Sequence, residues 1–192
     1  MERLFGTDGI RGAANQHPIL PEVAVQVGRA VTAVLRKNRR SRIIIGHDGR
    51  ISADMLVFAL ASGICSAGGE VFLAGLMPTP AVAFLTVHEK ADAGVVVSAS
   101  KNPYTDNGIK IFNSDGFKLD NDSEDRIETL IRNPRHVPPT AGGWIGKTHQ
   151  LAYADDIYIR FLRDPPGSGN GLKGIKLVLD CSNGATSLVA PK

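Results

Sequence analysis

Apolar residues at Val23, Val27, Ala30, Val31 and Val34 recur at helical spacing and predict a helix over residues 21–37, with Pro21 near its start. Residues 42–46 form a short apolar run bounded by polar positions, which predicts a buried strand. Met55, Leu56, Ala59, Leu60, Gly63 and Ile64 then fall on one helical face. Ser52 is placed to cap that helix, and Gly68-Gly69 to end it. Residues 71–74 predict a second strand. Thr79, inside Pro78-Thr79-Pro80, is placed to cap a short helix that runs to His88. Residues 93–98 predict a third strand. Residues 109–113 and 117–119, joined by Ser114-Asp115-Gly116, predict a hairpin. A helix is expected from Ser123 to Ile131, and another over residues 154–163.

Short apolar strands alternating with amphipathic helices predict an α/β fold, a layered β-sheet flanked by helices. The hairpin implies an antiparallel edge, so the sheet should be mixed. Residues 133–146 are rich in Pro and Gly and read as a connector. Pro165-Pro166-Gly167-Ser168-Gly169-Asn170-Gly171 reads as a flexible linker. Residues 176–180 predict one more strand, which cannot bury itself alone. The expected organisation is a first domain over residues 1–137, a connector with a helix and a Pro/Gly linker over 138–171, and the truncated start of a second α/β domain over 172–192.

Composition narrows the function classes. Hydrophobic residues make up 43% and charged residues 21% of the 192, as in soluble globular proteins, and only 6% are aromatic, so the core must rest on Val, Ile, Leu and Ala. No run approaches the ~18 apolar residues of a membrane span. Glu2, Arg3 and Asp8 interrupt the N-terminus where a signal peptide would need an apolar stretch. Cys65 and Cys181 form no motif, which suits a reducing cytoplasm without a disulfide. The net charge of +3 raises the question of nucleic acid. The one dense basic run, Arg36 to Arg42, carries no interleaved aromatic residue and lies at a helix end, where cations favour the dipole; no nucleic-acid partner is expected.

The most distinctive chemistry lies in residues 95–110. Three valines empty into a loop with Ser98, Ser100, Lys101, Asn102 and Pro103, and Lys110 follows an Asn-Gly turn signal at Asn107-Gly108. A hydroxyl at the end of a buried strand, with two cations near it, suits carriage of a phosphoryl group. The same residue types also shape ordinary strand-turn-strand connections. A second strand end carries Gly46-His47-Asp48-Gly49-Arg50. Loops at the carboxyl ends of strands commonly hold ligands in such sheets. Asp48 and Arg50 can pair and stiffen their loop, and His47 can either touch a phosphate or serve the fold.

Ser98-Ala99-Ser100-Lys101-Asn102-Pro103, followed by Asp106-Asn107-Gly108-Ile109-Lys110, resembles the phosphoserine loop of the α-D-phosphohexomutases. Phe5-Gly6-Thr7-Asp8-Gly9-Ile10-Arg11-Gly12 is similar to the family's N-terminal loop, in the form of its amino-sugar branch. Residues 46–52 fall where the family has its Gly-Arg-Asp-Thr-Arg-type segment. Asp180-Cys181-Ser182-Asn183-Gly184-Ala185-Thr186 resembles the first strand and turn of the second domain. The resemblance implies an isomerase that interconverts glucosamine 6-phosphate and glucosamine 1-phosphate in envelope-precursor synthesis. The phosphomannomutase/phosphoglucomutase branch and a non-catalytic phosphosugar- or partner-binding module are the alternatives. Ser100 would carry the phosphoryl group, Lys110 would act as general acid/base, and Lys101 would assist catalysis beside the serine. Arg11, Thr7, Asn102, His47 and Arg50 would bind substrate or phosphate. Mg²⁺ would be held through the Ser100 phosphate, with its remaining ligands in a second-domain loop that these residues do not contain, and glucosamine 1,6-bisphosphate would act as activator. The chain by itself is then expected to be inactive, cytoplasmic and without a membrane partner; a homodimer is compatible. Lys101 stands where the family has histidine, and His47 and Gly49 stand where it has Arg and Thr. An ammonium keeps charge near a phosphate but only donates, so the proton-shuttling role is the one at issue.

Overall fold

In a computed structural model, residues 3–37, 39–163 and 174–192 are described. Six strands form one sheet: β1 (Ile10–Ala13), β2 (Arg42–His47), β3 (Glu70–Leu76), β4 (Ala93–Val97), β5 (Asp106–Asn113) and β6 (Thr148–Gln150). Their order is β1-β5-β4-β2-β3-β6. β4, β2, β3 and β6 run parallel, and β5 lies antiparallel to both β4 and β1. The sheet is therefore mixed, as expected, but through β5 pairing on both sides. The anticipated hairpin reduces to a turn and a single bridge, Phe112 to Lys118.

The α-helices are α1 (Pro21–Leu35), α2 (Ala53–Ser66), α3 (Thr79–His88), α4 (Asn121–Arg132) and α5 (Ala154–Arg163). Strand alternation explains how they are layered. Ile43, Ile45, Val95, Val97, Ile109 and Ile111 point to one face and pack with residues of α1, α2 and α4. Ile44 and Val96 point to the other face and pack with Ala81, Val82 and Leu85 of α3 and Tyr158 and Ile159 of α5. Both faces are covered, which is why β2 and β4 read as unbroken apolar runs.

Several local expectations are corrected. Ser52 precedes α2 without capping it, because its hydroxyl accepts a hydrogen bond from Asn107 Nδ2 at 2.8 Å. Thr79 is the first residue of α3 rather than its cap; Pro78 holds that place, and the following Pro80 needs no amide partner in the first turn. Asp120 caps α4 by accepting from the Ser123 amide at 2.7 Å, and Ser123's backbone and hydroxyl hold its carboxyl below the ordinary carboxylate range. Residues 176–180 form no strand, since no neighbouring strand among the described residues offers its backbone a ladder; Val178 is 95% exposed. The expected linker at 165–171 lies outside the described residues.

Part of the basic run is committed to the fold, while Arg36 and Lys37 are exposed. Arg39 grips the buried Asp92 carboxylate with two bonds of 2.9 and 3.2 Å, and Arg42 donates to the Glu89 carbonyl. Burial pushes the Cys65 thiol up, with Glu70 adding to the effect. No helix among the described residues is long and apolar enough to cross a membrane.

Candidate active site

The sheet brings the two chemistry-bearing loops together. β2 and β4 are adjacent and parallel, and His47 pairs with Val97 at their carboxyl ends. The Asp48 amide then donates to the Val97 carbonyl at 3.1 Å, stitching one loop's root to the other's. Beyond β4 the backbone turns sharply. Ser100 takes a left-handed conformation at φ 55°, unusual for a residue with a side chain. Its amide donates to Ser98 Oγ at 3.1 Å, and the Asn102 amide donates to the Ala99 carbonyl. Ser100 and Lys101 are exposed, and with Ser98, Asn102, Arg50 and Thr79 they line a cleft of about 820 Å³.

Arg50 reaches into the underside of this loop. Its Nε donates to Asp48 Oδ2 at 2.9 Å. Nη1 donates to the carbonyls of Pro103 and Asp106, and Nη2 to those of Ser100 and Asn102, both at 2.9 Å. Asn102 also bonds sideways: Nδ2 donates to Asp106 at 3.0 Å, and Oδ1 accepts from Arg11 at 3.5 Å. Arg11, on β1, pairs with Asp8 at 3.2 Å, while its Nε is buried without a hydrogen-bond partner among the described residues. His47 is turned to the backbone: Nδ1 accepts from the Gly49 amide at 3.2 Å, which shapes the turn after β2.

Lys110 and Thr7 occupy a second, smaller space of about 180 Å³ with Phe5, Asp8 and Lys118. The two spaces share one lining residue, Thr79 at the start of α3. Lys110 lies opposite Val96, so its side chain leaves the sheet on the α3 side. The expected site residues thus divide into Ser100, Lys101, Asn102 and Arg50 in the cleft, Lys110 and Thr7 in the adjoining space, Arg11 touching the loop from β1, and His47 supporting a turn.

Three contributors were not singled out from sequence. Ser98 caps the Ser100 amide. Thr79 joins the two spaces. Asn107, read above as part of a turn, lies buried inside β5, where its Oδ1 accepts from the Gly108 amide at 2.8 Å. The actual turn is earlier, where the Asp106 amide meets the Pro103 carbonyl. The N-P at Asn102-Pro103 was the available signal for that turn.

Among the described residues no three His, Cys, Asp or Glu side chains converge as a metal site. Asp48 is already spent on Arg50. A phosphate on Ser100 would add oxygen donors, but Mg²⁺ takes six ligands in near-octahedral array, and the residues here do not fit it by themselves.

The family model for phosphoglucomutase/phosphomannomutase, alpha/beta/alpha domain I, matches residues 2–137. Phosphoglucosamine mutase of Desulfotalea psychrophila is 49% identical over 194 residues, covering 100% of this chain and 43% of the relative. That of Moorella thermoacetica is 49% identical over 193 residues, with the same coverage. The chain thus spans under half the length of these relatives. Among solved structures, a phosphoglucomutase/phosphomannomutase family protein from Burkholderia thailandensis superposes with a TM-score of 0.68 at 28% identity, covering 82% of this chain and 34% of that one. A putative phosphomannomutase from Thermus thermophilus gives 0.67 at 28% identity, covering 83% and 35%.

Proposed function

The chain belongs to the phosphoglucomutase/phosphomannomutase family, and we propose that it provides the phosphoryl-carrying part of a phosphoglucosamine mutase. One observation carries this reading. Ser100 stands in left-handed backbone at the carboxyl end of the buried central strand β4, with its hydroxyl-bearing loop fastened from below and open to a cleft above. The backbone that bears this hydroxyl is held while the hydroxyl faces the cleft, which suits a transfer step governed by position and charge.

In this reading phospho-Ser100 gives its phosphoryl group to the free hydroxyl of glucosamine 6-phosphate or glucosamine 1-phosphate. The Ser100 O–P bond breaks as the sugar O–P bond forms, giving glucosamine 1,6-bisphosphate. The bisphosphate then returns its other phosphoryl group to Ser100. Lys101 lies next to Ser100 in the chain and lines the same cleft, where its charge favours the phosphate. Lys110 supplies a proton-exchanging group from the adjoining space. The similarity to phosphoglucosamine mutases at 49% identity supports the amino-sugar branch over its siblings.

The test is substrate choice by the whole polypeptide that the reading frame encodes. Turnover of glucosamine 1-phosphate should exceed that of mannose 1-phosphate and glucose 1-phosphate by at least about tenfold in kcat/KM, about 1.4 kcal/mol of transition-state discrimination. Equal or reversed preference would place the protein in the phosphomannomutase/phosphoglucomutase branch.

A further inference from the structure

We infer that Arg50 is a positioning residue that holds the phosphoryl loop by its backbone, with Asp48 as its orienter, and that Arg50 is not itself a phosphate ligand. The inference rests on the reading of Ser100 as phosphoryl carrier.

A guanidinium has five N–H donors in a rigid fork. In Arg50 all five have partners: one on Asp48 and four on the carbonyls of Ser100, Asn102, Pro103 and Asp106. None is left for a substrate. The side chain is only 11% exposed, and although Arg50 lines the cleft, its donors are turned to Asp48 and the loop carbonyls. Asp48 holds Arg50 twice, accepting from Nε of the fork and from the Arg50 backbone amide at 3.3 Å, and the Asp48 amide is itself anchored to β4 by its bond to the Val97 carbonyl. Strand, aspartate, arginine and loop therefore form one continuous chain of hydrogen bonds.

Two consequences bear on transfer. Left-handed backbone at Ser100 persists only where surroundings over-determine it, and the bond from Arg50 to the Ser100 carbonyl contributes to that. In addition, four carbonyl dipoles near the serine are engaged by a cation. Left unpaired, their negative ends would oppose a phosphate dianion nearby.

Lysine discriminates between positioning and phosphate binding. It keeps the charge but is a compact point donor that cannot span four carbonyls. Arg50→Ala and Arg50→Lys are measured in the whole encoded protein for kcat, KM and backbone amide exchange over residues 99–106, with Ser100→Ala beside them. Positioning predicts that both Arg50 variants lose about 10²-fold in kcat, the size expected for misplacing a reacting group by about 1 Å. KM should change by less than about threefold, because no substrate contact is removed. Amide exchange should accelerate in the loop and not across β2 and β4. A variant pair in which Lys restores turnover, or in which KM rises with kcat unchanged, would show a charge contact to substrate and overturn the inference. Unfolding of both variants would overturn it too, making Arg50 a determinant of the fold at large. Turnover by Ser100→Ala would remove the carrier reading itself, whereas an inactive Ser100→Ala beside a fully active Arg50→Ala would refute the Arg50 inference alone.

Discussion

At the scale of single residues, neighbours in the loop separate by what their polar atoms touch. Asn102 is bonded on both ends of its amide and Arg50 at every donor, so both are committed to the shape of the loop. Lys101 lies exposed in the cleft beside Ser100. In the proposed reading its role there is electrostatic, since an ammonium attracts a phosphate dianion but does not accept a proton from it. In the whole protein, Lys101→Ala should cut kcat severely, by an order of magnitude or more. Lys101→His should retain activity at low pH and lose it as pH rises past about 6.5, where an unperturbed imidazolium gives up its charge. The pH profile of kcat checks this. An Ala variant as fast as the parent would remove Lys101 from the chemistry. A His variant that gains activity as pH rises would point to proton acceptance instead.

At the scale of elements, the close crossing of α1 and α2 sets the layer beneath β2 and β4. Gly28 and Gly63 make it possible: a Cβ on Gly63 would stand 2.1 Å from the Val25 carbonyl oxygen, and one on Gly28 2.4 Å from that of Leu60. Alanine would raise helix propensity by about 1 kcal/mol, but backbone-to-backbone overpacking costs about 1–3 kcal/mol and here has no flexible side chain to yield. Gly63→Ala should therefore lower the melting temperature by several degrees, followed by circular dichroism; an unchanged or raised value would contradict the crossing described. The helices were legible from apolar positions on one face, as in α1 and α2, or from punctuation, as in Pro78-Thr79-Pro80 before α3; β2 and β4 were legible as buried apolar runs and the half-buried β3 from the apolar start Val71-Phe72-Leu73. β1 and β6 were not. Ile10-Arg11-Gly12-Ala13 and Thr148-His149-Gln150 lack apolar alternation, and both lie at sheet edges where only backbone pairing defines them. The Asn107-Gly108 signal misled because tertiary pairing put Asn107 inside a strand and satisfied its amide with Ser52 and Gly108. The position of Ser100 was legible from the resemblance of its loop. The clamp by Arg50 was not, since its partners are main-chain oxygens some fifty positions away that leave no mark on residue identity.

At the scale of the whole molecule, one sheet aligns two loop roots at the ends of β2 and β4, and α3 begins where the two candidate spaces meet. A phosphosugar carries reactive groups at both ends, so a site with Ser100 in one space and Lys110 in its neighbour suits a substrate engaged at more than one point. All of this depends on Ser100 being the atom-bearing residue, and the remaining groups matter only as they serve it. The most direct measurement is peptide mass spectrometry of the whole encoded protein after incubation with glucosamine 1,6-bisphosphate, paired with turnover of its Ser100→Ala variant. The account predicts one phosphoryl group on Ser100 in the parent, none on the loop peptide of the variant, and turnover lost with little change in melting temperature, because a loop hydroxyl contributes little to packing. Turnover near that of the parent in Ser100→Ala, or a phosphoryl group carried on another residue with Ser100 unmodified, would contradict it.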